Sequence, residues 1–140
     1  EVPDLARVLT EKFWPGPLTL ILHAQPSLTW DLGETKGTVG LRIPDSEEAI
    51  ALLKETGPMA VSSANLHGKP SATNAQQAFE YFGENVPVYL DAGEARQGIA
   101  STIIDLTDVD SKKLRVLRQG ALEISDIAEY AEGFEFESVS

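Results

Sequence analysis

The residues best suited to chemistry fall in three stretches, each able to hold a small anionic ligand. In Thr38-Val39-Gly40-Leu41-Arg42-Ile43, alternation along a strand puts Thr38, Gly40 and Arg42 on one face and Val39, Leu41 and Ile43 on the other. The first face is then chemically equipped and the second belongs to the core. Gly40 lets a ligand approach the backbone, and the Arg42 fork can grip a carboxylate or phosphate through two parallel charge-assisted bonds. The same pattern also describes a half-exposed strand whose Arg pairs with a surface Glu, an arrangement worth ~0–1 kcal/mol. After Val61, the side chains of Ser62, Ser63, Asn65 and Ser71 offer neutral donors ahead of a helix start at Thr73, where the helix dipole favours anions. An ordinary Ser/Asn-rich turn is the alternative there. Finally, Gly93, Gly98 and Ser101-Thr102 form a loop leading into a strand, and Arg118 ends another strand just before Gly120. Taken singly, such a Ser is solvated and such an Arg snorkels to water.

Other chemistries find less support. Gly68-Lys69-Pro70-Ser71 has the flavour of a phosphate-binding P-loop, but Ser63 stands where the first glycine belongs and a proline separates Lys69 from Ser71. Neither Ser62 nor Ser63 sits in the G-x-S-x-G elbow that a hydrolase triad with His67 would need. His23 and His67 have no ligand spacing, so no metal site is expected, and no general acid or base stands out.

The elements that must position these residues follow from the apolar periodicity. Pro3 with Leu5, Val8 and Leu9 predicts a helix to about Phe13, stopped by Pro15-Gly16-Pro17. Strands are expected at Leu18 to His23, Thr38 to Ile43, Met59 to Ser62, Val86 to Leu90, Thr102 to Leu106 and Leu114 to Leu117. Asp45-Ser46-Glu47-Glu48 and Thr73-Asn74-Ala75-Gln76 have capping-box spacing, and Ser125 or Asp126 could cap a last helix through Ala131. Alternation in the middle with consecutive strands later implies an α/β (α+β) domain built on an open, twisted mixed sheet with flanking helices. Residues 1–132 are expected to form the domain and residues 133–140 a loose acidic tail.

A chain of 140 residues suffices for one core. Without cysteine it has no disulfide framework, thiolate nucleophile or Cys-based zinc site, in keeping with a reducing cytosol. No apolar run reaches membrane-spanning length and no signal peptide is legible, so a cytoplasmic location is expected. A formal charge of -11 disfavours direct nucleic-acid binding and favours a small nucleotide as the phosphate partner.

Phe13-Trp14-Pro15-Gly16-Pro17-Leu18-Thr19, Val39 to Pro44, Ser63-Ala64-Asn65, Gly98 to Thr102 and Leu117-Arg118-Gln119-Gly120, in this order and spacing, resemble the YrdC family of threonylcarbamoyl-AMP synthases over about Leu5 to Leu122. The resemblance implies a YrdC-like fold and an enzyme, a nucleotidyltransferase, that joins L-threonine and bicarbonate and adenylates the product with ATP, with Mg²⁺ as companion ion. A tRNA threonylcarbamoyltransferase would be the downstream partner. By motif, Thr38, Ser63, Asn65, Ser71 and Arg118 are implied as ATP contacts, and Arg42, Val61 and Ser101 as threonine contacts. Val61-Ser62-Ser63-Ala64-Asn65 departs from the usual Ala-Pro-Ser-Ala-Asn. The family's basic front segment is not in the sequence, so a fragment with incomplete activity is expected. Two alternatives stay open: a carbamoyl-adenylate domain of a carbamoyltransferase, and an RNA-binding translation factor, which would need a basic groove and steeply salt-dependent binding.

Overall fold

Ala6 and Leu9 lie one turn apart on the inner side of α1 (Asp4–Phe13) and are completely buried. They meet Leu18, Leu20 and Leu22, which alternate with less buried neighbours along β1 (Leu18–His23). The computed structural model describes residues 2–95 and 99–139. Gly98 of the sequence-predicted loop is outside the described residues. Between α1 and β1, Gly16 N–H donates to Ile43 O at 2.8 Å, and a Cβ on Gly16 would stand 2.3 Å from Phe13 O. The glycine in that motif is therefore a steric requirement.

The remaining elements are β2 (Thr38–Leu41), α2 (Glu47–Thr56), α3 (Ala75–Phe82), β3 (Thr102–Asp105), β4 (Lys113–Arg118), α4 (Ile124–Ala128) and β5 (Glu135–Ser138). The strands form one mixed sheet in the order β2-β1-β3-β4-β5, with β1–β3 and β4–β5 parallel and the other pairs antiparallel. Two units are distinguished, Glu1–Ala51 with Ala100–Ser140, and Leu52–Ile99. The sheet, α1, α4 and every buried apolar side chain belong to the first.

Register assigns the faces, because residues opposite one another across a ladder point the same way. Leu20 faces Leu41 and Ile104, Ile104 faces Val116, and Leu114 faces Phe136. This is the face that Ala6 and Leu9 of α1 and Ile127 of α4 cover. Burying each such Leu or Ile contributes about 1.5–3 kcal/mol. The other face carries Thr19, Ile21, His23, Thr38, Gly40, Ile103, Asp105, Arg115 and Arg118 by the same registers.

Several expectations are corrected. The segment after Gly133 is no loose tail: Glu135, Phe136 and Glu137 alternate outward, inward and outward, and pair in parallel with β4. Its acidic composition hid a period of two. Met59 to Ser62 and Val86 to Leu90 are not strands. Val61 is 87% exposed, Val88 66% and Leu90 67%, and no described residue of the second unit is buried, so these runs have no ladder to join. The last helix starts after Glu123 and ends at Ala128, without a side-chain cap from Ser125 or Asp126. Leu41 and Ile43, expected in the core, are exposed at the edge strand.

Asp105 anchors the plain face at the end of β3. Its Oδ1 accepts from Thr107 N–H at 2.9 Å and Thr107 Oγ1 at 2.7 Å, and Arg115 donates to Oδ2. Burial alone pushes this carboxyl up, but the bonds from Thr107 and the Arg115 guanidinium together outweigh it and hold the group below its ordinary 3.8. A depressed carboxyl stabilises the fold above its unfolded pKa and loses that contribution as pH falls through the folded value, so the loss is confined to acid below about pH 4. Arg115→Met should raise the Asp105 pKa, move the acid-unfolding midpoint to higher pH and cost about 1 kcal/mol at neutral pH, since Arg115 is itself 57% exposed. Fluorescence-monitored acid titration reads this directly, and an unmoved midpoint would remove Asp105 from the acid limb.

Candidate functional site

A bulge in β4 aims the most distinctive cation of the first unit. Ile104 pairs with Val116 but Ile103 pairs with Arg118, so Leu117 is the extra residue. Val116 and Arg118 would share a face on a regular strand. The inserted residue turns Val116 into the core and Arg118 onto the opposite side, a known use of bulges. There Arg118 Nε–H donates to Ser101 O at 2.9 Å and Nη2–H to Ser101 Oγ at 3.1 Å. Ser101 Oγ is in turn 2.8 Å from Thr19 Oγ1.

The loop beyond Arg118 is fixed by Thr102, which is fully buried on the core side. Its hydroxyl accepts from Gly120 N–H at 2.9 Å and Leu122 N–H at 3.2 Å and donates to Leu122 O at 2.6 Å. Gly120 passes so close to the start of β3 that a Cβ would lie 2.0 Å from Ala100 O. The Leu117-Arg118-Gln119-Gly120 motif is thus a bulge, a guanidinium on the face opposite the core and a backbone crossing in four residues.

On the same face Gly40 packs closely on β1, where an added Cβ would come within 3.1 Å of Ile21 Cδ1 and 3.7 Å of Thr19 Cγ2. Thr38, opposite His23, donates its hydroxyl to Thr35 O at 2.7 Å. Arg42 follows β2, exposed, with no side-chain hydrogen bond or ion pair to another described residue. The expected alternative, pairing with a surface Glu, is not what the described residues form. The cations of β4 divide clearly: Lys113 pairs with Glu137 at 2.6 Å and Arg115 with Asp105, whereas Arg118 meets no described carboxylate. Two of its five N–H donors are used on Ser101, and the other three have no partner among the described residues.

The second unit holds Val61, Ser63, Asn65 and Ser71 in one loop. Asn65 N–H donates to Ser63 O at 3.1 Å, Ala72 N–H to Ala64 O at 2.8 Å, and Ser71 Oγ to Asn65 Oδ1 at a long 3.5 Å. Tyr81 of α3 ties the loop down through Pro70 O at 3.1 Å. The helix start differs from expectation. Asn74, not Thr73, is the cap, accepting from Gln77 N–H at 2.9 Å, and Gln77 rather than Gln76 reaches back to Thr73 N–H at 3.0 Å. The anion beside this N-terminus is the protein's own Glu94, bonded to Thr73 Oγ1 at 3.1 Å and Asn74 Nδ2 at 2.5 Å.

Sequence reasoning passed over Thr19 as a site residue. The signal was available, since Thr19 is the polar residue between Leu18 and Leu20 in an alternating strand. The bulge had no such signal. Among the described residues no group of three or more His, Cys, Asp or Glu could hold a metal, and no helix is long and apolar enough to cross a membrane.

Comparison with known proteins identifies the family and the fold. The Sua5/YciO/YrdC family model, described as telomere recombination, matches residues 1–120. A curated protein of Mycobacterium tuberculosis is 52% identical over 128 residues, covering 91% of this chain and 58% of its own length. The threonylcarbamoyl-AMP synthase of Pyrococcus abyssi is 38% identical over 128 residues, 91% of this chain and 37% of the relative. The crystal structure of P. abyssi Sua5 complexed with L-threonine superimposes with a TM-score of 0.88 at 36% identity, covering 98% of this chain and 40% of that one. The chain therefore spans little more than half the length of the first of these relatives, and less of the others.

Proposed function

Because this chain belongs to the Sua5/YciO/YrdC family, we propose that it is the part of an L-threonylcarbamoyladenylate synthase that holds the nucleotide and contributes to the threonine site. The amine of L-threonine attacks bicarbonate carbon with loss of water, giving a carbamate. A carbamate oxygen then attacks the α-phosphorus of ATP, forming threonylcarbamoyl-AMP as the bond to pyrophosphate breaks. The product would serve threonylcarbamoylation of an adenosine beside the tRNA anticodon by a separate transferase, in the cytoplasm.

The observation that carries the reading is the bulge-directed Arg118, held by Ser101 and unmatched by any described carboxylate, on a face that also bears Gly40 and Thr38. Arg118 suits a phosphate of the nucleotide and Arg42 the free carboxylate of threonine, each through a planar fork. Thr38, Ser63, Asn65 and Ser71 are assigned to the nucleotide, and Ser101 with the exposed backbone at Val61 to the amino acid. No described residue is placed as a general base, which suits a reaction driven by alignment and by stabilisation of developing phosphoryl charge. The described residues do not form a carboxylate or imidazole cage for Mg²⁺, so the ion is assigned to the triphosphate and no protein step depends on it.

The test is incubation of the full-length protein with ATP, Mg²⁺, L-threonine and bicarbonate, followed by mass spectrometry of the nucleotides. Threonylcarbamoyl-AMP with stoichiometric pyrophosphate is expected. Pyrophosphate release indifferent to threonine and bicarbonate would overturn the assignment.

A further inference from the structure

We propose that Thr19 is a positioning residue for the amino-acid substrate, fixing the direction in which the Ser101 hydroxyl points; this rests on the synthase reading above. Ser101 Oγ accepts from Arg118 Nη2–H at 3.1 Å and shares a hydrogen bond with Thr19 Oγ1 at 2.8 Å. The two hydroxyls own two protons. One lies between them, and Arg118, a donor only, cannot accept the other. One O–H is therefore left over, beside the three unused N–H groups of Arg118. With Thr19 as the donor, the Ser101–Arg118 edge presents donors, which suits an anionic acceptor such as a carboxylate, while the unused lone pairs stay on Thr19 Oγ1.

Thr19 is placed to hold this contact. Its β-branched side chain is stiff at χ1, and its methyl lies toward Gly40, so Oγ1 is held within bonding distance of Ser101 Oγ. With Thr19 donating, both acceptor positions on Ser101 Oγ are occupied and the Ser101 proton points away from both partners, to the ligand. The bond is not needed to join β1 and β3. Thr102 N–H already donates to Pro17 O and Leu106 N–H to Ile21 O, each at 2.9 Å, at the two ends of a continuous ladder. A side-chain bond added to a closed ladder, between two polar residues next to an arginine that no described carboxylate pairs, has a better account in orienting a donor than in holding strands together.

The experiment is calorimetric titration of the full-length protein with L-threonine, using wild type, Thr19→Val, Thr19→Ser, Ser101→Ala and the double variant Thr19→Val with Ser101→Ala. Thr19→Val should weaken threonine about five- to tenfold, the effect of one misdirected hydrogen bond. Thr19→Ser should return to within about twofold of wild type, and the melting temperatures should stay together. Adding Thr19→Val to Ser101→Ala should change nothing further, because Thr19 acts through that hydroxyl. Should the valine variant fail to fold, Thr19→Ala carries the same comparison. Unchanged affinity in the single variant, or an equal loss in both backgrounds, would overturn the proposal. A wild-type protein that binds no threonine would instead bring down the synthase reading, which is a separate result.

Discussion

Gly120→Ala is expected to lower the melting temperature of the full-length protein by about 10 °C, the counterpart of about 2–3 kcal/mol for forcing an atom into packed backbone. The added Cβ would lie 2.0 Å from Ala100 O and 2.5 Å from Ser101 C. Neither is the end of a flexible side chain, so the crossing itself has to open. Gly120 is not among the positive-φ glycines, and the cost is therefore steric and not conformational. Opening the crossing would draw Ala121 N–H from Ala100 O, now 2.9 Å, and Gly120 N–H from Thr102 Oγ1. It would also separate the segments that carry Arg118 and Ser101, so ligand affinity should fall along with stability. A melt within about 2 °C of wild type would mean that the crossing relaxes freely and is no constraint on the site.

Arg118→Ala should weaken nucleotide binding by about 10- to 150-fold with a much smaller effect on the melt. Hydrogen bonds to a charged group are worth about 1.5–3 kcal/mol, and each 1.4 kcal/mol is a decade in affinity. Arg118 is exposed, and none of the core apolar contacts depends on it. Arg118→Lys should recover little. The arginine spans Ser101 O and Ser101 Oγ with two different nitrogens while keeping donors for the ligand, and one ammonium cannot do both. Calorimetry with ATP measures the change, and wild-type affinity in the alanine variant would take Arg118 out of the nucleotide site.

The parts of this fold set by local pattern were legible from the residues. The alternation of Leu18, Leu20 and Leu22, the helix containing Ala6 and Leu9, and the polar face of Thr38 and Gly40 all follow from periods of 2 and 3.6. What failed was whatever depends on a distant partner. Val61, Val88 and Leu90 lie in runs that look like strands, but a strand exists only where a ladder receives it, and the described residues of their unit form none. Phe136 made the opposite error: its flanking glutamates suggested a solvated end, although the edge of β4 was waiting for a parallel neighbour. The site divides in the same way. Arg42 and Ser63 stand out by type and spacing, while Thr19 acquires meaning only through Ser101, 82 positions away.

The Leu117 bulge also bears on how changes in chain length are tolerated. Removing one residue from an exposed turn shortens a path and leaves side-chain directions alone. Removing Leu117 would restore regular alternation and leave Arg118 opposite Ile103, on the side of the sheet it occupies now; a ladder made regular with Leu117 kept would instead turn the arginine to the side of Leu20 and Ile104. The extra residue is therefore what lets Val116 and Arg118, two positions apart, face opposite sides of the sheet, and its loss alone would change length without changing the side on which positive charge appears.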